Sequence, residues 1–455
     1  MSAPDFQFRD LKPLFPLLII SLIFKLVLAA LLPLTADESY YWVWSHHMQL
    51  SYFDHPPAIA WLFWLTHPIE NFGGAARWAG VLLSHATLVI WLLILKPYLR
   101  IDQLRIWLWL ALLSPLIGAG SLIMTPDIPM MFCWALSLHL FLRWVEAPTY
   151  RRSFELGLSA GLGFCAKYVF VLEPMFLTFA AFMIPSWRSA MKKGWWLIAI
   201  GVIIGSTPVW LWNYLNHFAS FRFQADHGLG RAIWKPSWTY EYLLAQFGLI
   251  FPPILYWAIK GTKKAPAWMW ILAWGPVAFF AATSFRGYAE ANWPIIAYTQ
   301  IFALAVLAMP RPTLGYRITI GTWTTALVAL LVLIVTQWSP QGSMLKTKRE
   351  FSQFDSLRAP AAELNPIYAR SYQMASQLTF AIKKPIYKLR SMNRRDFYDF
   401  MPESMPTTDQ FYLMAEKTDG LPPEYTEMGY KIVSRDPVDK ADPENEFEIL
   451  LVKKQ

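Results

Sequence analysis

From residue 14 to residue 336 the chain alternates long apolar windows with short polar ones. The windows fall near 14–34, 78–95, 105–123, 128–145, 153–166, 168–184, 195–215, 241–259, 266–284, 294–309 and 318–336. Runs of about 20 apolar residues predict spanning helices, because only a helix satisfies its own backbone polar groups in hydrocarbon. The pattern therefore predicts an all-α polytopic membrane protein with about 11 transmembrane helices. Two shorter stretches, 38-ESYYWVWSHHM-48 and 58-AIAWLFWL-65, are too short to cross and rich in aromatics. They read as interfacial helices in the first outer loop. Pro56 or Pro57 suits the first turn of the second, with Asp54 or His55 placed to cap it.

Beyond residue 336 the pattern changes. The tail is polar and carries strand-like pieces at 410-QFYLMAE-416 and 446-EFEILLVKK-454. Two domains are expected: a transmembrane domain over 1–336, and a small C-terminal α/β domain outside the membrane over 337–455.

Composition agrees with a membrane chain. It is 55% hydrophobic and 16% charged, against roughly 25% charged in soluble domains. The tail holds seventeen basic and seventeen acidic residues, so the net charge of +9 belongs to the membrane part. With a cytoplasmic N-terminus, sixteen Lys and Arg fall in the inner segments and six in the outer loops. That is the positive-inside bias, which makes the basic excess a matter of topology. The lipid bilayer is the expected partner, and nucleic acid is not. Cys133 and Cys165 both lie inside predicted spans, so no disulfide framework is expected. No GxGxxG or P-loop is present, so no nucleotide cofactor is expected.

The densest polar clusters share one side of the membrane by parity: Asp37-Glu38 through His55, 125-TPD-127, 167-KY-168 and 286-RGYAEANWP-294. The loop 213–240, with Asp226 and His227, joins them. Charges kept at a membrane edge are candidates for function. Blander readings compete at several positions. Asp127 suits a helix cap, Lys167 suits a snorkelling span end, and Trp293 suits an interfacial belt. Lys25 and Glu173 lie mid-span, where a charge facing lipid costs about 2.5–3.5 kcal/mol. They are expected to pair or to face an internal cavity.

An acidic pair after the first span, then Tyr-Phe-Asp-His-Pro-Pro at 52–57, Thr-Pro-Asp at 125–127, Ala-Lys-Tyr at 166–168 and Asn-Trp-Pro at 292–294 make a familiar order. It resembles the protein O-mannosyltransferase-like family of membrane glycosyltransferases, glycosyltransferase family 39 and its lipid A aminoarabinose-transferase relatives. The resemblance covers most of 1–310. It implies the GT-C architecture, a polyprenyl-phosphate-linked sugar as donor, and transfer to an extracytoplasmic hydroxyl on an envelope glycolipid or glycan. It further implies a bacterial-type inner membrane, with the active site and the tail domain on the periplasmic side. In such enzymes the first acidic residue of the pair is catalytic, which falls on Asp37.

The lipid A-modifying relative carries a carboxylate-Lys-Pro-Pro motif where this chain has Asp54-His55-Pro56-Pro57. Its lysine meets the lipid phosphate, a role that passes here to His55 and Lys167. In the same relative that carboxylate and a loop histidine hold a metal. A divalent metal ion at Asp54 and His227 is the matching expectation.

The chemistry asks for little more. A sugar hydroxyl is a poor nucleophile, and a carboxylate that takes its proton contributes roughly 10²–10⁴-fold. Asp37 is assigned that role, with Glu38 beside it to orient the acceptor or bind a cation. The departing phosphate needs positive charge rather than an acid, which suits Lys167, Arg286 and His55. Tyr40, Tyr41, Trp42, Tyr168 and Trp293 offer rings to sugar or lipid, and Asp127 and Asn292 offer polar contacts. Direct displacement predicts inversion at the sugar carbon. The competing readings are a protein O-glycosyltransferase of the same family and a transporter or flippase for a lipid-linked sugar.

Overall fold

The computed structural model describes residues 8–229, 233–336, 351, 353–438 and 447–455. It divides into two compact units. The first comprises Met1–Leu31 and His55–Val332; the second comprises Leu32–Asp54 and Leu333–Gln455. The sequence suggested a boundary at 336/337. Here the stretch that follows the first apolar helix is part of the same compact unit as the tail.

In chain order the helices are α1 (Phe15–Leu31), α2 (Ala36–His46), α3 (Ala58–Leu65), α4 (Trp78–Leu95), α5 (Ile101–Leu113), α6 (Asp127–Glu146), α7 (Tyr150–Phe164) and α8 (Leu172–Met183). They continue with α9 (Pro185–Ala190), α10 (Trp195–Leu215), α11 (Ala219–Leu229), α12 (Pro236–Ile250), α13 (Pro252–Thr262), α14 (Ala267–Thr283), α15 (Ile295–Ala308) and α16 (Leu314–Thr336). The tail adds α17 (Arg358–Glu363), α18 (Tyr372–Ile382) and α19 (Pro423–Glu427).

Five helical segments among the described residues are long and apolar enough to cross a membrane, or up to seven if each of two bent pairs is one span. Three shorter apolar helices cover 168–183, 267–283 and 295–308. The sequence expected straight spans over 105–123 and 241–259, and prolines break both. At Ser114–Pro115 the helix turns by 63°, and the Ser114 hydroxyl caps the new start by accepting from the amides of Ile117 and Gly118. At Phe251–Pro252 the bend is 89°. A residue before proline is pushed out of the helical region, and Phe251 takes φ 69°, a left-handed value that costs a non-glycine residue strain.

Helix packing in the first unit rests on small residues. A Cβ at Gly157 would stand 2.1 Å from the Ile198 carbonyl oxygen, and one at Gly161 would stand 2.5 Å from that of Val202. Gly201 and Gly205 answer from α10, so α7 and α10 approach backbone to backbone, as small-xxx-small pairs allow in membranes. Helix α15 is apolar all round and buried along nearly its whole length, which marks it as a central helix. Trp107 reaches it from α5, donating its indole N–H to the Thr299 carbonyl at 2.9 Å. Of the two alternatives expected for Lys25 and Glu173, they do not pair with each other, and both side chains are buried inside the unit. Lys25 donates to the Ser121 hydroxyl at 2.7 Å, while Glu173 is fully buried elsewhere in the unit.

In the second unit, β1 (Ile367–Ala369), β2 (Tyr387–Lys388), β3 (Gln410–Glu416), β4 (Tyr430–Pro437) and β5 (Phe447–Lys454) form one mixed sheet in the order β2-β1-β3-β5-β4. Strands β3 and β5 match the two stretches expected from sequence. Helix α2 does not lie with a free apolar face, as an interfacial helix would. Its aromatics form a core with α18 and the 397–400 turn: Trp42 meets Phe380 edge-on, and Tyr40 meets Tyr372, Phe397 and Tyr398. The crowd of rings in 40–44 is protein core.

Candidate active site

The acidic pair opens α2. Thr35 is its N-cap: the Thr35 hydroxyl accepts from the Glu38 amide at 3.2 Å, and the Glu38 carboxylate accepts from the Thr35 amide at 3.0 Å. This capping box satisfies two orphan donors at the helix start. It also gives the pair distinct roles. Glu38 is fully buried with its carboxylate on the cap, whereas Asp37, one residue earlier, is exposed. The Asp37 carboxylate opens into a cavity of about 300 Å³ walled by Gln353, Arg370, Gln373, Asn393 and Glu416 among others.

One tail residue bonds Asp37 and a second acts on it through its charge. The Tyr372 hydroxyl donates to it at 3.1 Å from the first turn of α18. The Arg394 guanidinium lies 4.6 Å from the centre of the Tyr372 ring and pairs with Asp54 at 3.0 Å. Although Asp37 reaches solvent through the cavity, protein surrounds it on most sides. Partial desolvation raises its pKa, opposed by the Tyr372 hydroxyl and the Arg394 charge. A carboxylate shifted toward neutrality is a better base at pH 7 than an ordinary one.

The loop that presents Arg394 is fixed from below. Lys388, with no exposed surface, donates to Asp396 at 2.8 Å, to Asp399 at 2.6 Å and to the Arg394 carbonyl at 2.8 Å. A buried ammonium ringed by acceptors holds a loop that has little regular structure of its own. Neither Arg394 nor Tyr372 was singled out from sequence, since the tail's balanced charge marked no residue there.

Tyr40 and Asp54 support the same cluster. The Tyr40 hydroxyl donates to Asp54 at 2.6 Å and accepts from the Phe397 amide at 2.8 Å. Tyr41 is buried beside Trp44, at a ring separation of 5.1 Å. These rings are not presented to a sugar. Burial raises the Asp54 pKa, opposed by the Arg394 charge and the Tyr40 bond. Its carboxylate is thus engaged by a hydroxyl and a guanidinium, a donor set that does not fit a divalent ion as it stands. The His227 side chain lies outside the described residues.

The first unit gathers three predicted residues from three separate loops. Lys167 donates to Asp127 Oδ1 at 2.7 Å, and the Asn292 amide donates to Asp127 Oδ2 at 3.1 Å. Asp127 begins α6 without capping it, so the carboxylate is free for both partners. Asp127 and Asn292 line a cavity of about 160 Å³ whose other walls are mainly aliphatic, among them Leu88, Leu116, Ile117, Ile128 and Met131.

The remaining residues disperse. Neither Asp54 nor His55 caps α3; its N-cap is Pro57, and the Ala58 amide donates to the Cys165 carbonyl at 3.0 Å. His55 is half-buried just before the two prolines. The Tyr168 hydroxyl bonds Ser220 at 2.7 Å. Trp293 packs 5.4 Å from Phe280. Arg286 is exposed, with no ion pair recorded among the described residues.

The sequence profile of the dolichyl-phosphate-mannose-protein mannosyltransferases matches residues 54–212. Over 378 residues the chain is 24% identical to the lipid A galacturonosyltransferase RgtD of Rhizobium johnstonii, with 78% of each chain covered. The crystal structure of ArnT from Cupriavidus metallidurans bound to undecaprenyl phosphate superposes with TM-score 0.68 at 13% identity, over 96% of this chain and 97% of that one. The chain has the fold of ArnT. Its apo counterpart gives TM-score 0.63 at 14% identity, over 97% of this chain and 98% of ArnT. The resemblance read from the motif order stands, and it extends past residue 310 into the tail. The apolar helices and the shared fold make the chain a multi-pass membrane protein with a helical body and a small C-terminal sheet.

Proposed function

We propose that this protein is an integral membrane glycosyltransferase of the GT-C type that moves a sugar from a polyprenyl-phosphate donor to a hydroxyl of an envelope glycolipid or glycan. The observation that carries the reading is Asp37: an exposed carboxylate with a raised pKa, fixed by a capping box and one tyrosine, at the wall of a cavity. In the step proposed, the acceptor hydroxyl gives its proton to Asp37 as its oxygen bonds the anomeric carbon. The bond from that carbon to the phosphate oxygen breaks on the opposite side. Polyprenyl phosphate leaves with the electron pair, so the sugar carbon inverts.

The leaving anion needs cationic donors held in place. Lys167 is suited to this: one of its three N–H donors is fixed on Asp127, which leaves two for a phosphate. The apolar cavity beside Asp127 suits an isoprenoid chain near such a phosphate. The named relatives support the donor and acceptor classes, one being a lipid A glycosyltransferase and the other binding undecaprenyl phosphate. By the same analogy the reaction is assigned to the periplasmic face of an inner membrane. The mannosyltransferase profile keeps a protein hydroxyl as the second acceptor class.

The test is reconstituted transfer from polyprenyl-phosphate sugars, scored by product mass with lipid A, glycan and peptide acceptors offered side by side. Transfer that depends on donor and is lost in Asp37→Asn is the expected outcome. Unchanged transfer in Asp37→Asn would end the assignment of the base.

A further inference from the structure

The cavity in front of Asp37 has a chemical character that the reaction alone does not dictate. Its wall is built from Gln353, Ser371, Gln373 and Asn393, amides and a hydroxyl that both donate and accept hydrogen bonds. The charged wall residues are Asp37, Glu416 and Arg370. Arg370 is not available to an anion, because Glu416 pairs with it and Asp419 accepts from it at 3.0 Å. Two wall carboxylates therefore face one neutralised guanidinium. A phosphate or carboxylate entering here meets like charge, which disfavours it. A neutral polyol meets the mixed donors and acceptors that sugar hydroxyls require. At about 300 Å³ the cavity sits at the small end of the range for ligand pockets, the scale of a sugar rather than a whole glycolipid.

We propose that this cavity is the acceptor subsite, and that it takes an uncharged, hydroxyl-bearing sugar ring, bound by Gln373 and Asn393 and presented to Asp37. The proposal rests on the glycosyltransferase reading and sharpens it: the atom that receives the sugar is a ring hydroxyl and not a phosphate oxygen. The chemistry is consistent, since a phosphate is already an anion and has no use for a base, whereas a hydroxyl has.

The test is binding, measured without donor. Full-length protein in detergent is titrated with N-acetylglucosamine disaccharide and with the same disaccharide carrying a phosphate monoester, by saturation-transfer NMR. The variants are Gln373→Ala and Asn393→Gly. Glycine is chosen because Asn393 sits at φ 57°, where alanine would strain the loop and glycine does not. Each lost hydrogen bond is worth about 1 kcal/mol, so the pair together should weaken the neutral sugar by on the order of tenfold to thirtyfold. The neutral form should bind at least as well as the phosphorylated one.

Tighter binding of the phosphorylated form, no detectable binding of the neutral form, or indifference to both substitutions overturns the proposal. Sugar binding by a wild-type protein that cannot use any polyprenyl-phosphate donor would instead sink the glycosyltransferase reading while leaving the subsite standing.

Discussion

Two acidic clusters in this chain use similar side chains in opposite ways. In the first unit, Asp127 is fully committed, with one oxygen on Lys167 and the other on Asn292. In the second, the Asp37 carboxylate takes one hydrogen bond among the described residues, from Tyr372, and lines a cavity. A carboxylate held by a cation on one oxygen and an amide on the other is stabilised in its ionised form and is a weaker acceptor for a proton in transit. It can hold a cation still. A carboxylate kept partly desolvated and partly open is the one that can exchange a proton. The difference separates positioning from chemistry before any substrate is drawn.

Exchanging the open carboxylate for an amide should have the largest effect. Asp37→Asn keeps the shape and the Tyr372 contact but removes the base, so transfer should fall by about 10²–10⁴-fold, with thermal unfolding unchanged. A loss under tenfold in a reconstituted assay would put Asp37 on the same footing as Asp127 and erase the contrast.

Breaking the closed cluster comes next. The Lys167 and Asp127 side chains are 15% and 9% exposed, so removing one leaves the other largely unpaired. Lys167→Met and Asp127→Asn should each lower stability by about 1–3 kcal/mol. Their coupling in a double-mutant cycle should be about 0.5–3 kcal/mol. Lys167→Met should also raise the donor KM, whereas Asp37→Asn should not. Additive effects on stability would mean the pair is not a unit.

Much of this architecture was readable from residue patterns. Helices occupy all eleven apolar windows, and the strands at 410–416 and 447–454 follow the tail's alternation. Asp127 and Lys167 stood out because charge at a membrane edge is costly, and Asn292 through the Asn-Trp-Pro stretch, although only the fold shows that they touch. The two helix breaks were signalled by Pro115 and by Pro252-Pro253, and were overlooked because hydropathy averages across them. Thr35-x-x-Glu38 is a capping-box spelling, and it accounts for the Glu38 contacts to the Thr35 amide and hydroxyl. The rings of α2 look interfacial in isolation, since nothing local says that α18 will cover them. Tyr372 and Arg394 lie more than three hundred residues from Asp37, and no short-range pattern reports a contact of that range.

The proton balance at Asp37 gives a subtler probe. Its raised pKa means that transfer should fall on the acid side as the carboxylate protonates, and should be flat above. Tyr372 and Arg394 both favour the ionised form. Tyr372→Phe and Arg394→Gln should therefore each move the acid limb of kcat/KM to higher pH, so that both variants are weakest relative to wild type at low pH and recover as pH rises. Asp127→Asn should leave that limb where it is. A limb that shifts to lower pH, or that shifts equally in Asp127→Asn, would show that a different group is titrating.

The smallest expected effect concerns the cap. Thr35→Ala deletes the hydroxyl that accepts from the Glu38 amide, which should cost about 1 kcal/mol of stability, while Thr35→Ser should restore it. If the capping box serves only the fold, activity at a temperature well below unfolding should match wild type in both variants. If it also fixes Asp37 against Tyr372, Thr35→Ala should lose activity several-fold with the acid limb displaced upward, because a loosened first turn weakens the hydrogen bond that favours the carboxylate. Serine should then return both the rate and the limb. The second outcome is expected, since Asp37 sits between the two residues that close the box.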